Sequence, residues 1–122
     1  EESFQTLEDE IYLFAKQLHK QWRLENKVDF IIVDHPLFNS AIYDGGKSGL
    51  YFKDFVLEQY NRFNNLNFFI NRNVIYETNG RVQTESDAIE LDKSILNFMK
   101  ENNIVYTKLE VENAINEMLK QL

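Results

Sequence analysis

Residues 28–36, Val28-Asp29-Phe30-Ile31-Ile32-Val33-Asp34-His35-Pro36, constrain the fold of this chain more than any other stretch. The apolar and mostly β-branched run from Phe30 to Val33 follows a helical pattern, as expected of a strand buried on both faces in a parallel sheet. Pro36 has no backbone donor and ends the strand. The strand closes on an acid. In open α/β folds ligands bind beyond the carboxyl ends of strands, which would point Asp34 into the cleft where chemistry is done. An aspartate here also serves simply to begin a turn, and both roles stay open.

The elements around this run alternate. Thr6 to about Leu24 reads as a helix, with Thr6 and Asp9 as a capping box and Leu7, Ile11, Phe14, Ala15, Leu18 and Trp22 as its core stripe. Gln17, Lys20, Gln21 and Arg23 fall off that stripe, on an expected solvated face. Leu50 to Phe63 reads as a second helix, with Phe52, Phe55, Val56, Tyr60 and Phe63 on one face, closed by Asn64 and Asn65. Leu66–Ile70 is a short buried strand. Thr84 to about Asn102 is a third helix through Ala88, Leu91, Ile95, Phe98 and Met99, and Asn102-Asn103 breaks it. Ile104–Leu109 is a third strand and Val111–Leu122 a final amphipathic helix. This order predicts an α/β protein: one domain over 1–122, with a parallel sheet and flanking helices.

Composition narrows the function classes. With 43% hydrophobic residues among 122, including ten Phe, a core is affordable, and with no cysteine there is no disulfide framework, thiolate metal site or Cys nucleophile. Lys and Arg total 13 against 20 Asp and Glu, and the resulting −7 repels a polyanion, against general nucleic-acid binding. No apolar run has the length of a membrane span, and the acidic first residues do not read as a signal peptide; a cytoplasmic location is expected. His19 and His35 lie apart and suggest no metal cluster. Asp34, His35 and Ser40 spell a triad on paper, but without the spacing of a nucleophile elbow.

Two loops bear on phosphate chemistry. Ala41-Ile42-Tyr43-Asp44-Gly45-Gly46-Lys47-Ser48 fits a relaxed phosphate-loop pattern, yet it does not leave a strand directly, and Asp44 sets an anion where backbone N–H groups should wrap phosphates. A Gly-rich turn is the preferred reading. Asn73 to Gln83 is polar and bracketed by Arg72 and Arg81, as in a phosphoryl-transfer lid whose guanidinium groups neutralise developing charge. Taken singly, each arginine equally fits a surface salt bridge.

Gln17-Leu18-His19-Lys20-Gln21, Ile32-Val33-Asp34-His35-Pro36-Leu37 with Tyr43, Phe68-Phe69-Ile70-Asn71-Arg72, Tyr76 and Gly80-Arg81-Val82-Gln83-Thr84-Glu85 resemble the latter two-thirds of the P-loop ATPases and nucleotide kinases common in bacteriophages. The resemblance implies a partial P-loop NTPase-like three-layer fold. It implies ATP and Mg²⁺ as cofactors and a nucleotide or nucleoside as phosphate acceptor. Asp34 would stand for the acid ending the Walker B-like strand, holding the Mg²⁺ shell through water or accepting the proton of the attacking hydroxyl. Arg72 and Arg81 would be the lid arginines on the ATP phosphates, with Arg81 catalytic and Tyr76 and Gln83 supporting the lid. His35 stands where the family often has Ser.

The family opens with a strand, a Walker A loop, a helix and a second strand, and the sequence given starts after their counterparts. In the family's sheet the first strand lies between those matching Phe30–Asp34 and Leu66–Ile70, so without it two apolar strand edges are expected to lack a neighbour. Three explanations are open: further residues supply the strand, a complementing chain or homo-oligomer does, or the sheet is re-formed without it. The alternative function is a non-catalytic, acidic protein-interaction module that buries aromatics such as Tyr51 or Phe52 against another protein.

Overall fold

The computed structural model describes residues 9–71 and 85–122, which belong to two compact units, Glu1–Asn64 and Asn65–Leu122. In the first unit lie helices α1 (Glu10–Leu24), α2 (Asn39–Asp44) and α3 (Phe52–Tyr60). Asp9 caps α1, its carboxylate accepting the Tyr12 N–H at 3.1 Å, so Asp9 itself takes the role of N-cap. The helix ends before Asn26, which has φ of 65°, and the Lys27 N–H closes the turn on the Leu24 carbonyl.

The face that α1 buries differs from its apolar stripe. Glu10, Leu13, Gln17, Leu18 and Gln21 are half-buried around Phe14, which is 2% exposed, whereas Ile11 is exposed and Trp22 is 67% exposed. The reason is aromatic packing. The Phe14 ring meets Phe52 and Phe55 of α3 edge-on, each at 6.0 Å between centroids, and this fixes the helix's rotation. Leu37, Phe38, Val56 and Tyr60 complete the core, with Phe38 edge-on to Tyr60 at 5.2 Å.

The run at 28–34 departs from expectation. Residues 30–33 are unbent and belong to no ladder, and Phe30 and Ile32 are 59% and 91% exposed. A strand covered on both faces needs a hydrogen-bonded neighbour, and among the described residues none pairs with it. Pro36 opens a helix as well as ending the run: its carbonyl accepts the Asn39 N–H at 3.0 Å, and tight turns through Leu37 and Phe38 lead into α2.

The second unit holds β1 (Phe68–Ile70), α4 (Glu85–Glu101), β2 (Thr107–Leu109), a 3₁₀ turn (Val111–Asn113) and α5 (Ala114–Leu119). Strands β1 and β2 pair in parallel, Phe68 opposite Thr107 and Ile70 opposite Leu109. Asparagines clamp both ends of this short ladder. Asn67 accepts the Thr107 N–H through its carbonyl and donates from its side chain to the Val105 carbonyl at 3.2 Å; Asn71 donates its N–H to Leu109 and its amide to Glu110 at 2.6 Å. At the end of α4, Asn103 takes φ of 56° and the Ile104 N–H reaches back to the Met99 carbonyl at 2.9 Å, a Schellman closure. Among the described residues of this unit, Ala88, Met99, Leu109 and Ala114 are the buried apolar ones. A small parallel sheet with helices is what an α/β chain requires at minimum. The expected three-stranded sheet is two-stranded among the described residues.

Candidate functional site

A cleft in the first unit, about 470 Å³ in volume, is lined by Glu10, Leu13, Lys16, Gln17, Lys20, His35, Ser40 and Tyr43. Helix α1 supplies the first five, because positions three and four apart share one side of a helix. The loop after residue 33 supplies His35, and α2 supplies Ser40 and Tyr43. Gln17 joins the two walls: its Nε2 donates to the His35 backbone carbonyl. The His35 ring lies flat on Tyr43, with centroids 5.3 Å apart and planes within 6°.

The charges in the cleft follow from burial. Partial burial pushes the Glu10 carboxyl above its usual range, and the nearby Asp44 and Asp9 push it further. The Tyr43 hydroxyl is raised by burial and by Glu10. Burial holds the His35 imidazole below its ordinary value, partly opposed by the adjacent Asp34. The cleft therefore presents a neutral stacked ring pair, with Lys16 and Lys20 as the ammonium groups on its α1 wall.

Asp34 is exposed, directly before the cleft-lining His35. No group of three or more His, Asp or Glu able to hold a metal ion is found among the described residues. Arg72, Tyr76, Arg81 and Gln83 lie outside the described residues.

The Gly-rich loop is built as a turn. Gly45 and Gly46 have φ of 58° and 86°, and the buried Asp44 carboxylate accepts the Ser48 N–H at 3.0 Å and the Ser48 hydroxyl. The loop's own anion thus takes the donors that a phosphate would use. Ser40 and His35 line the same cleft, yet among the described residues no hydrogen bond joins Ser40 to His35 or His35 to Asp34, and a nucleophilic triad gains no support.

The solvated face expected for Lys20 holds, since it is exposed although it lines the cleft, whereas Gln17 is half-buried there. The local signal for Gln17 is the polar stripe Glu10, Gln17, Gln21 beside Phe14. Comparison with protein-family models, curated proteins and solved structures gives no match for this chain.

Proposed function

We propose that the chain acts in ATP-dependent phosphoryl transfer to a nucleotide or nucleoside, in the manner of P-loop kinases and ATPases. The observation that carries this reading is the cleft lined by His35, the residue that follows Asp34. Its volume of about 470 Å³ lies within the ordinary range for small-ligand sites, and it joins a flat aromatic pair to two ammonium groups. A nucleotide needs those two kinds of contact, an aromatic face for its base and cations for its phosphates. Asp34 would orient the acceptor hydroxyl or hold the hydration shell of Mg²⁺. Arg72 and Arg81 would neutralise charge developing on the transferred group, with Tyr76 and Gln83 supporting them. ATP, when bound, supplies the phosphoryl group; the residues named here position and neutralise, with no covalent intermediate on the protein.

A ligand that binds only the folded state at about a hundred times its dissociation constant stabilises it by about 2.7 kcal/mol. ATP·Mg²⁺ or a nucleoside monophosphate is therefore expected to raise the melting temperature. Arg81→Ala is expected to abolish transfer with the fold intact, and unchanged turnover in that variant would sink the lid assignment.

The second reading, an acidic interaction module, is favoured by the exposure of Tyr51 and of Phe30 and Ile32. Phe52 does not serve it, since its ring packs on Phe14. A melting temperature indifferent to every nucleotide would favour this reading.

A further inference from the structure

We propose that the cleft of the first unit takes a guanine nucleotide in one orientation, with the Glu10 carboxylate on the base edge and the Lys20 ammonium on the phosphate. This rests on the nucleotide reading above and names the base that the cleft selects. The order of groups along the α1 wall is tied down at two points. Glu10 begins the helix and lies close enough to Tyr43 for its charge to bear on the phenol. Two turns on, Gln17 holds the His35 carbonyl. The stacked His35 and Tyr43 rings are thus anchored between Glu10 and Gln17, and Lys20 follows beyond them. At a helical rise of about 1.5 Å per residue, Glu10 and Lys20 stand about 15 Å apart at the backbone. The Lys16 ammonium lies over the Tyr12 ring, 5.7 Å from its centroid, which leaves Lys20 as the cation directed to a phosphate.

An acid at one end, an ammonium at the other and flat rings between give the cleft a polarity, and among its described lining residues Glu10 is the one acid. An ionised carboxylate accepts hydrogen bonds and donates none. It therefore disfavours a base edge on which donors alternate with acceptors. Adenine and cytosine set a ring-nitrogen acceptor beside the amino group, and uracil and thymine flank a single N–H with two carbonyls. Guanine presents two adjacent donors, N1–H and the N2 amino group, which match the two carboxylate oxygens as a fork. Half-burial and the neighbouring Asp44 and Asp9 make the charge on Glu10 costly, so two donors stabilise it more than they would an exposed acid.

Titration calorimetry of the full chain with guanosine, guanosine monophosphate (GMP), inosine monophosphate (IMP), adenosine monophosphate (AMP) and ATP·Mg²⁺ tests this. IMP keeps N1–H and lacks the amino group, so GMP is expected to bind at least about tenfold more tightly than IMP, and more tightly still than AMP. Glu10→Gln leaves one oxygen to accept where there were two, and is expected to bring GMP and IMP within about threefold of each other. Lys20→Ala changes an exposed side chain and is expected to weaken GMP while leaving guanosine unchanged. Equal binding of GMP and IMP, a GMP preference that survives Glu10→Gln, or binding of ATP alone overturns the guanine assignment and leaves the nucleotide reading standing. Equal loss of GMP and guanosine in Lys20→Ala overturns the orientation. Binding of none of these ligands overturns both the proposal and the nucleotide reading.

Discussion

Replacing Phe14 tests how the first unit holds its cleft together. Its ring makes two edge-to-face contacts, to Phe52 and Phe55, each expected to contribute about 0.5–1.5 kcal/mol beyond area burial. Phe14→Leu keeps most of the apolar volume and loses both, for about 1–3 kcal/mol; Phe14→Ala adds a cavity and reaches about 3–5 kcal/mol. With a urea dependence of about 1 kcal/mol/M, the lower end for a small protein, Phe14→Leu moves the midpoint by about 1–3 M. Urea titration followed by circular dichroism, with Trp22 fluorescence as second probe, reads the shift. Ile11→Ala, on the same helix but exposed, is expected to cost under about 1 kcal/mol. A Phe14→Leu midpoint equal to that of the parent, or an Ile11→Ala cost above that of Phe14→Leu, would refute the packing argument. The cleft depends on the outcome, because α1 carries Lys16, Gln17 and Lys20 on the rotation that Phe14 sets.

Ser48→Ala removes the hydroxyl donor from the buried Asp44 carboxylate and is expected to lower stability by about 1–3 kcal/mol, read as a fall in melting temperature. Glu10 binds its proton more tightly folded than unfolded, so stability falls as pH rises from its ordinary 4.5 through the raised value; Glu10→Gln is expected to melt higher than the parent at neutral pH, with a smaller gap near pH 4. His35 has the opposite sign: folding lowers its affinity for a proton, so stability is lost as pH falls below the ordinary 6.5. His35→Phe keeps a ring for Tyr43 to stack on and is expected to flatten that acid-side loss in melting temperature.

Much of the secondary structure was legible because its signals are local. The helical pattern of 84–102 and its Asn102-Asn103 stop appear as α4 with its Asn103 closure, and the strands at 66–70 and 104–109 appear as the shorter β1 and β2. The run at 28–34 was misjudged for a physical reason: apolar β-branched sequence shows what a segment would bury, but burial needs a neighbour that local sequence does not specify. The small helix α2 was hidden by its polar and glycine-rich surroundings, and it brings Ser40 and Tyr43 to the cleft. The half-burial of Gln17 escaped residue-level reading because α1 buries a mixed face dictated by three phenylalanines rather than its most continuous apolar stripe, while Lys20 stays exposed as its place off that stripe suggests.

The parallel ladder of the second unit also has a kinetic consequence. Pairing Phe68 with Thr107 closes about forty residues of chain, and the entropy of that closure is lost before three paired positions return anything. Helix α4, whose backbone ladder links residues only four apart, forms on a much shorter timescale. The two asparagines that clamp the ladder therefore act late: Asn67 and Asn71 should slow escape from the folded state while leaving the rate of reaching it almost unchanged.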